Sequence, residues 1–180
     1  YVGVPTALAL PSVVTAYDGK LCLKDALVIG VSQSGKAADV LAVMEKAKQC
    51  GALTVAVTND LQSPMAQFGD YHLYCNAGLE ESVAATKTFT SQMYVLAMLA
   101  AVWGDNEAML AKLDEVPGAV EQLLSYIPHD IEKIIQRYRY MENGFVLSRG
   151  TSMAIAFETM LKLQETNYVK MKGYAVSDFW

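Results

Sequence analysis

The sequence of 180 residues is 53% apolar and has a formal net charge of −5, from 14 basic and 19 acidic residues. This length and apolar content suffice for a sizeable core, in one domain or two small ones. No cluster of Lys and Arg is present, so nucleic acid is not expected as a partner. The longest apolar stretch, Met93–Trp103, is too short to span a bilayer, and no basic signal segment is seen. A membrane and secretion are therefore not expected, and the predicted location is the cytoplasm.

The three cysteines, Cys22, Cys50 and Cys75, are widely spaced and lie among apolar residues. The sequence has no C-x-x-C pair and only two histidines. This pattern favours free buried thiols in a reducing compartment over a metal site. We therefore predict neither a metal nor another cofactor.

The first clear element is the apolar run Ala26–Val31, which is typical of a parallel strand buried on both faces. The segment before it, Tyr1–Tyr17, contains Pro5 and Pro11 among Val, Leu, Thr and Ala. That composition favours an extended segment or a short strand over a helix.

A polar turn, Ser32–Gly35, separates this strand from a predicted helix that starts at Ala37 and ends before Gly51. Such a turn directs free backbone N–H groups and the positive end of a helix dipole to one point. The hydroxyls of Ser32 and Ser34 can add donors there, so a phosphate site is one interpretation; simple helix capping is the other. The turn lacks the P-loop ending and the G-x-G-x-x-G pattern, so a nucleotide is not the expected ligand.

Two further strands are predicted at Leu53–Val57 and Tyr71–Cys75. Between them, Ser63 and Pro64 have the residue types of an N-cap and a first helical position. Strands alternating with helices at this spacing predict a parallel sheet with helices on both faces. In such sheets, ligands bind at the carboxyl ends of the strands.

A polar segment follows the third strand and leads into the apolar stretch Met93–Trp103, which is predicted to be a core helix that ends at Gly104. The polar segment is either a well-capped helix start, with Ser82 or Thr86 as the N-cap, or part of a ligand site at the strand end. Its polar residues are Glu80, Glu81, Ser82, Thr86, Lys87, Thr88, Thr90 and Ser91.

Two amphipathic patterns, near Glu107–Tyr126 and His129–Met141, predict connecting helices that are interrupted at Pro117 and Pro128. His129 follows Pro128 at a predicted helix start. It is expected at the surface, without a chemical role.

The sequence pattern of a strand followed by a polar turn and a helix then occurs a second time. Gly144–Ser148 is predicted as a strand, Arg149–Ser152 as a turn, and the following segment as a helix to about Thr166. After Thr166, a short polar stretch leads to Tyr174–Trp180, and no further element is predicted there.

On this last helix, Glu158, Lys162 and Glu165 are spaced three or four residues apart and share one face. One interpretation is an ordinary ion pair on a solvated helix. The other is a general base beside a lysine, where burial and the neighbouring cation tune both groups.

Three motifs together resemble the sugar isomerase (SIS) domain family, as found in glucosamine-6-phosphate synthase and related deaminases. They are SQSGKAAD at Ser32–Asp39, ESVAATKTFTSQ at Glu81–Gln92, and SRGTSMAIAFETMLKLQET at Ser148–Thr166. The three motifs occur in the order expected for the family. Together they favour a ligand site over simple helix capping, and a general base beside a lysine over an ordinary ion pair. The resemblance implies an α/β fold of tandem three-layer α/β/α, flavodoxin-like domains with a mostly parallel sheet.

The resemblance also implies how far each domain extends. Residues 1–105 would be the later part of a first SIS domain, 106–142 connecting helices, and 143–180 the early part of a second. The sequence is thus expected to be truncated at both ends relative to the family.

The resemblance further implies a set of ligand-binding residues. Ser32, Gln33 and Ser34 would hold a sugar phosphate, and Val83 and Thr86 would line the sugar pocket. One position departs from the family pattern, because Ala37 stands where the synthases usually have a threonine. One hydroxyl contact to the phosphate is therefore missing, although a backbone N–H could remain.

Two catalytic residues are implied in the same way. Glu165 would be the base that moves a proton between C1 and C2 of the open-chain sugar, with Lys162 close to the reacting end. One carboxylate that reaches both carbons, with an electrophilic group beside it, suits this interconversion.

The predicted function is that of a phosphosugar isomerase or deaminase acting on an amino-sugar phosphate such as glucosamine 6-phosphate or fructose 6-phosphate. One alternative is the isomerase part of a glutamine-dependent fructose-6-phosphate aminotransferase. Another is a non-catalytic module that binds phosphosugar to regulate another process; the presence of Glu165 with Lys162 favours an enzyme. The expected partners are the sugar phosphate and a second copy of the chain, in a homodimer.

Overall fold

The computed structural model describes residues 2–179 and divides into two compact units, Tyr1–Val116 and Pro117–Trp180. The first unit contains a parallel three-stranded sheet and the second a parallel two-stranded sheet. The predicted α/β class with parallel strands is therefore confirmed. Division into tandem domains stays a prediction, and its end residues, Tyr1 and Trp180, lie outside the described residues.

The helices and strands alternate along most of the chain. In order, they are α1 Pro11–Thr15, β1 Leu27–Ser32, α2 Ala38–Gln49, β2 Leu53–Thr58, α3 Pro64–Phe68, β3 Tyr71–Tyr74, α4 Lys87–Trp103, α5 Glu107–Ile134, β4 Asn143–Ser148, α6 Met153–Asn167 and β5 Lys170–Ala175. Short 3₁₀ helices occupy Ile135–Tyr138, Gly150–Ser152 and Val176–Asp178.

The carboxyl ends of the three strands in the first unit lie level with one another. β2 is the central strand, and the register pairs Ser32 with Thr58 and Thr58 with Tyr74. Because parallel strands all end at one edge, the loops that follow Ser32, Thr58 and Tyr74 start side by side. This edge is where a ligand is expected in such a sheet.

The core of the first unit lies around β2. Met44 of α2, Ala56 of β2 and Met65 of α3 are fully buried against one another. Since side chains alternate along a strand, Val55 and Val57 point to the opposite face, and they are also buried. α4 contacts β2 as well.

Burial on both faces was predicted for the apolar run Ala26–Val31 but is found in β2. The prediction was wrong for β1, which is an edge strand in which only Gly30 is buried and Val31 is exposed.

Two further predictions for the first unit were wrong. The segment Tyr1–Tyr17 was predicted to be extended, but it contains the short helix α1. Pro11 is the first helical residue, where a missing N–H costs nothing and the fixed φ favours a helix. The stretch Met93–Trp103 is helical as predicted, but it is not a buried core helix, since Trp103 is 48% exposed. The apolar content of this segment predicts a helix, but it does not show whether other parts of the protein bury that helix.

The two helices predicted from Glu107 onward form one continuous helix, α5, despite Pro117 and Pro128. Pro117 has no N–H to donate to the carbonyl of Leu113, four residues earlier. That carbonyl instead accepts a hydrogen bond from the Tyr94 hydroxyl at 3.0 Å. The freed acceptor is thereby satisfied, which explains why the first proline does not end the helix. His129, on the same helix, is exposed, as predicted.

The second unit is built from β4, α6 and β5. The two strands are parallel, with Ser148 opposite Ala175, and α6 packs on both of them. Strand β5 was missed because its sequence, KMKGYA, mixes lysines with an internal glycine and has little strand preference of its own. Pairing with β4 and burial of Met171 override that local preference.

The cysteines differ in burial, and the prediction of three buried thiols was wrong for Cys22. Cys75 is buried, Cys50 is half-buried and Cys22 is exposed; all are free thiols. Burial raises the pKa of the Cys75 thiol. Among residues 2–179, no group of three or more His, Cys, Asp or Glu side chains is arranged to hold a metal ion. Within the same residues, no helix is both long enough and apolar enough to cross a membrane.

Asp70 links α2 to β2. Its carboxylate accepts hydrogen bonds from the Lys48 ammonium at 2.8 Å, the Thr54 N–H at 2.9 Å and the Thr54 hydroxyl at 2.8 Å. The Lys48 contact contributes most to lowering the pKa of Asp70 from 3.8 to about 2. This carboxylate therefore stabilises the folded state only while it is ionised.

We expect the Asp70 contribution to stability to be complete above pH 3.8 and to be lost as the pH falls toward about 2. An Asp70→Asn variant should lack this part of the acid dependence, because no proton is taken up at that position. The measurement is the free energy of urea unfolding between pH 5 and 2. Asp130→Asn on α5, whose carboxylate is 56% exposed beside Lys133, is the control. An unchanged acid dependence in Asp70→Asn would contradict the assignment.

Candidate functional site

The turn after β1 is shaped by its own serine side chains. The Ser32 hydroxyl oxygen accepts from the Gly35 N–H at 3.2 Å, and the Ser34 oxygen accepts from the Lys36 N–H at 3.3 Å. A hydroxyl that accepts in this way keeps its hydrogen for donation. Ser32, Gln33 and Ser34 are all half-buried, at the carboxyl edge of the sheet. The turn therefore offers two O–H donors that its own fold does not require.

The serines do not cap helix α2. The N-cap residue is Ala37, which has no side-chain capping bond, and both serine oxygens bond within the turn. The first N–H groups of a helix have no partner inside it. One of them, at Val40, is taken by the Asp39 carboxylate at 2.9 Å. The N–H groups before it belong to Ala38 and Asp39, and they lie next to the serine turn.

The charges around this turn are mixed. The Lys36 ammonium lies 4.0 Å from the Asp60 carboxylate, and 67% of the Lys36 side chain is exposed. At this separation and exposure the ion pair is weak. Lys36 can therefore turn toward an anion at the helix start, whereas Asp39 and Asp60 oppose one.

Gly35 allows the turn to pack against the start of α3. Its φ is +61°, and a Cβ at this position would collide with the side chain of Ser63 and lie 3.1 Å from a methyl group of Thr58. Ser63 is fully buried and caps α3 by accepting from the Ala66 N–H at 3.2 Å, as its position before Pro64 predicted. Ser63 therefore cannot move aside without losing this cap.

We expect Gly35→Ala to destabilise the protein by about 1–3 kcal/mol more than Gly51→Ala does. Both glycines have positive φ, but no atom lies within 4 Å of a Cβ built on Gly51. Gly51→Ala thus reports the backbone strain alone, and the difference reports the collision with Ser63. The measurement is the free energy of urea unfolding of both variants. Equal values would show that the turn is not packed as described.

Asn59, directly after β2, contacts the loops on both sides of it. Its backbone N–H donates to the Gln33 carbonyl at 3.0 Å. Its side-chain oxygen accepts from the Ala77 N–H at 2.8 Å, and its side-chain amide donates to the Gly78 carbonyl at 2.6 Å. Sequence analysis missed this residue. A lone Asn in a turn is common, and its partners lie 18 and 19 residues away.

The loop between β3 and α4 is folded around Glu80. One carboxylate oxygen accepts from the Thr86 N–H at 3.1 Å, the Thr88 N–H at 3.3 Å and the Thr88 hydroxyl at 2.9 Å. The Thr86 N–H contributes most to lowering the pKa of Glu80. Thr86 is the N-cap residue by position, but its side chain makes no capping bond. Glu80 does the capping, a role the sequence did not reveal, and the Thr86 side chain is free of it.

The two residues predicted to line the sugar pocket lie in this loop. Thr86 is exposed at the start of α4, and the Val83 side chain is fully exposed. The structure thus places Val83 and Thr86 after β3, and Ser32, Gln33 and Ser34 after β1. Asn59 bonds to both loops. Their role in binding sugar stays a prediction.

The predicted catalytic pair lies in the second unit, on α6. The Lys162 ammonium donates to the Glu165 carboxylate at 2.6 Å and lies 3.4 Å from the Glu158 carboxylate. The bond to Glu165 contributes most to raising the pKa of Lys162. Lys162 is therefore a cation at neutral pH, and it holds the carboxylate of Glu165, which is 40% exposed. The arrangement fits either an ion-paired helix face or a base beside an electrophile.

A cavity in the first unit lies away from this edge of the sheet. It has a volume of about 640 Å³ and lies between the amino end of β1, the segment from Val2 to Thr6, and α4. Its walls are mostly apolar and include Leu27, Leu96 and Trp103. None of the seven predicted site residues lines it. We regard the strand-end turn as the candidate site because it has the polar donors that an anionic ligand needs.

Comparison with known proteins assigns the segment that contains the serine turn and the Glu80 loop to one family. The family model of the SIS domain matches residues 14–102. The glutamine–fructose-6-phosphate aminotransferase (isomerizing) of Aquifex aeolicus is 36% identical over 179 residues, which are 99% of this chain and 30% of that protein.

Two solved structures share the fold. A candidate phosphosugar isomerase from Silicibacter pomeroyi has 37% identity and a TM-score of 0.87, over 98% of this chain and 53% of that one. The C-terminal domain of glucosamine-fructose-6-phosphate aminotransferase from Francisella tularensis has 26% identity and a TM-score of 0.88, over 99% and 52%. The chain thus spans about half of each solved relative and less than a third of the curated one. The segment 14–102, which contains the serine turn and the Glu80 loop, belongs to the SIS domain family.

Proposed function

We propose that this chain binds a sugar phosphate and carries the proton-transfer residues of a phosphosugar isomerase or deaminase. Its substrate would be an amino-sugar phosphate or the matching ketose, such as glucosamine 6-phosphate or fructose 6-phosphate. One observation carries the proposal: two half-buried serine hydroxyls with unused hydrogens lie at the carboxyl edge of a parallel sheet, beside a helix start without a side-chain cap. The names of the relatives support the same class.

In this proposal the phosphate lies at the turn after β1. The hydroxyls of Ser32 and Ser34, the Gln33 side chain and the first N–H groups of α2 are the donors. Hydrogen bonds to a charged acceptor are stronger than those between neutral groups, and the helix dipole favours a negative charge at this end. Ala37, where related synthases have a threonine, offers no hydroxyl, so the two serines contribute a larger share of the binding.

The sugar would contact Val83 and Thr86 in the loop that Glu80 folds. Because Glu80 takes the N–H groups of Thr86 and Thr88, these are not available to an anion. The loop is therefore suited to a neutral sugar and the turn after β1 to the phosphate. Each loop would thus bind a different part of the ligand.

Proton transfer is proposed for Glu165. Its carboxylate removes a proton from one carbon of the C1–C2 pair of the open-chain sugar. The electrons of that C–H bond form a C1=C2 double bond, while the π electrons of the C=O or C=N group move to the oxygen or nitrogen. The electrons of the C1=C2 bond then take the proton back at the other carbon. The hydroxyl or amino group on the first carbon loses a proton and forms the new C=O or C=N bond, while the oxygen or nitrogen that received the π electrons gains a proton. The Lys162 ammonium, whose pKa is raised, is suited to stabilise the developing negative charge.

A second candidate function is the isomerase part of a glutamine-dependent fructose-6-phosphate aminotransferase. The observation that favours it is the 36% identity to an Aquifex aeolicus protein of that name. The two candidates differ in the source or fate of nitrogen: a deaminase releases ammonia from glucosamine 6-phosphate, whereas the aminotransferase takes nitrogen from glutamine. The sugar chemistry at C1 and C2 is common to both.

An assay of the full chain with three substrate sets tests this proposal. The sets are glucosamine 6-phosphate alone, fructose 6-phosphate with ammonium, and fructose 6-phosphate with glutamine. Release of ammonia in the first set is expected for a deaminase, and formation of an aldose 6-phosphate from fructose 6-phosphate is expected for an isomerase. Synthesis of glucosamine 6-phosphate only in the third set would favour the aminotransferase. Sugar-phosphate binding without turnover in any set would favour the non-catalytic module. Absence of binding would contradict the proposal.

A further inference from the structure

Asn59 uses its backbone and its side chain for different neighbours. The backbone N–H bonds to the turn after β1, through the Gln33 carbonyl. The side-chain amide bonds to the loop after β3, through the Ala77 N–H and the Gly78 carbonyl. Asn59 thus makes three hydrogen bonds to two loops that belong to different strands. Its side chain has both the donor and the acceptor that this requires.

The position of Asn59 gives these bonds their importance. It follows Thr58, the last residue of the central strand, whose carboxyl end is level with those of β1 and β3. The turn after β1 holds the phosphate donors, and the loop after β3 holds Val83 and Thr86. Asn59 lies between them and fixes each loop relative to β2.

We infer that Asn59 is a positioning residue that sets the separation between the phosphate subsite and the sugar subsite. This inference rests on the proposed function and adds to it: Asn59 touches no ligand itself and acts through the two loops. A ligand that occupies both subsites gains the full binding free energy of both only if the two loops are already held at the separation that the ligand requires. A ligand that occupies the phosphate subsite alone does not depend on the second loop.

The consequence is a change in selectivity and not only in affinity. Asn59→Ala removes the bonds to Ala77 and Gly78 but keeps the backbone bond to Gln33. The turn after β1 should therefore still bind inorganic phosphate, whereas the loop after β3 should lose its fixed place. Binding of fructose 6-phosphate should weaken by about tenfold or more, while binding of inorganic phosphate should change by less than about threefold.

Calorimetric titration of the full chain with inorganic phosphate and with fructose 6-phosphate tests this. Asn106→Ala is the matched control, since Asn106 is also half-buried and its side chain accepts one backbone N–H, from Met109 at 2.9 Å, at the start of α5. It should leave both affinities unchanged. Asn59→Asp is the second variant, in case the alanine variant does not fold. It keeps the acceptor for the Ala77 N–H but places a charged oxygen opposite the Gly78 carbonyl, which repels it. The added charge opposes both anions, so the readout is the ratio of the fructose 6-phosphate affinity to the phosphate affinity, which should also fall.

The outcomes separate this inference from the proposed function. Selective loss of fructose 6-phosphate affinity in either Asn59 variant, with Asn106→Ala unchanged, supports the positioning role. Equal changes for both ligands, or no change for either, in variants that remain folded would overturn it while leaving the proposed function intact. Failure of the unmodified chain to bind fructose 6-phosphate would overturn both.

Discussion

Replacing Glu165 with glutamine is expected to lower turnover by about two to four orders of magnitude while fructose 6-phosphate still binds. Glutamine has nearly the same shape and keeps an oxygen that can accept from the Lys162 ammonium, but it cannot take a proton. Lys162 also lies 3.4 Å from Glu158, so its charge retains a partner in the variant. The loss should therefore reflect the missing base and not a displaced lysine.

A matched control separates the chemistry from the loss of a helix ion pair. Asp130 and Lys133 on α5 form a pair with the same spacing as Lys162 and Glu165, at 3.0 Å. Asp130→Asn should leave turnover unchanged. If Glu165→Gln also leaves it unchanged, the pair on α6 is only an ordinary ion pair, as the sequence allowed, and the base lies elsewhere.

Replacing both Ser32 and Ser34 with alanine is expected to weaken fructose 6-phosphate binding by about 2–4 kcal/mol, or roughly 30- to 1,000-fold. Each replacement would remove one hydrogen bond from a serine hydroxyl to the charged phosphate. Each replacement would also remove a hydrogen bond that holds the turn, from the Gly35 N–H to Ser32 or from the Lys36 N–H to Ser34. The two effects act in the same direction, and calorimetry measures their sum.

The control for this double variant is Ser125→Ala, which removes an exposed hydroxyl that donates only within its own helix, to the Gln122 carbonyl. It should leave the affinity unchanged. Thermal melting of the double variant shows whether the turn still folds. Unchanged fructose 6-phosphate affinity in a folded double variant would exclude the turn after β1 as the phosphate site.

The sequence predicts this fold best where the signal is local. Strands β1 and β2 and the cap at Ser63 follow from apolar runs and from the Ser-Pro pair, because each depends on residues close together. Strand β5 and the uninterrupted α5 depend instead on distant partners. β5 needs β4 to pair with, and α5 needs the Tyr94 hydroxyl to satisfy the carbonyl that Pro117 leaves free. Neither partner can be identified from the local pattern.

The same distinction between local and distant signals applies to the residues of the candidate site. The serine turn is visible in the sequence, since its residue types show the chemistry directly. Asn59 and Glu80 are not visible as organising residues. Asn59 acts on residues 18 and 19 positions later, and Glu80 on residues six and eight positions later. A glutamate this far before a helix is outside the usual capping pattern, in which the acidic residue follows the N-cap. Residues that hold the loops in place therefore emerge only from the folded structure.

The proposed function depends above all on the carboxyl edge of the first sheet, which we propose binds the phosphate of a sugar phosphate. The most direct measurement is a crystal structure of the full chain with fructose 6-phosphate bound. We expect the phosphate at hydrogen-bond distance from the hydroxyls of Ser32 and Ser34, beside the first N–H groups of α2. Phosphate density away from this turn, for example in the cavity of about 640 Å³ at the amino end of β1, would contradict it.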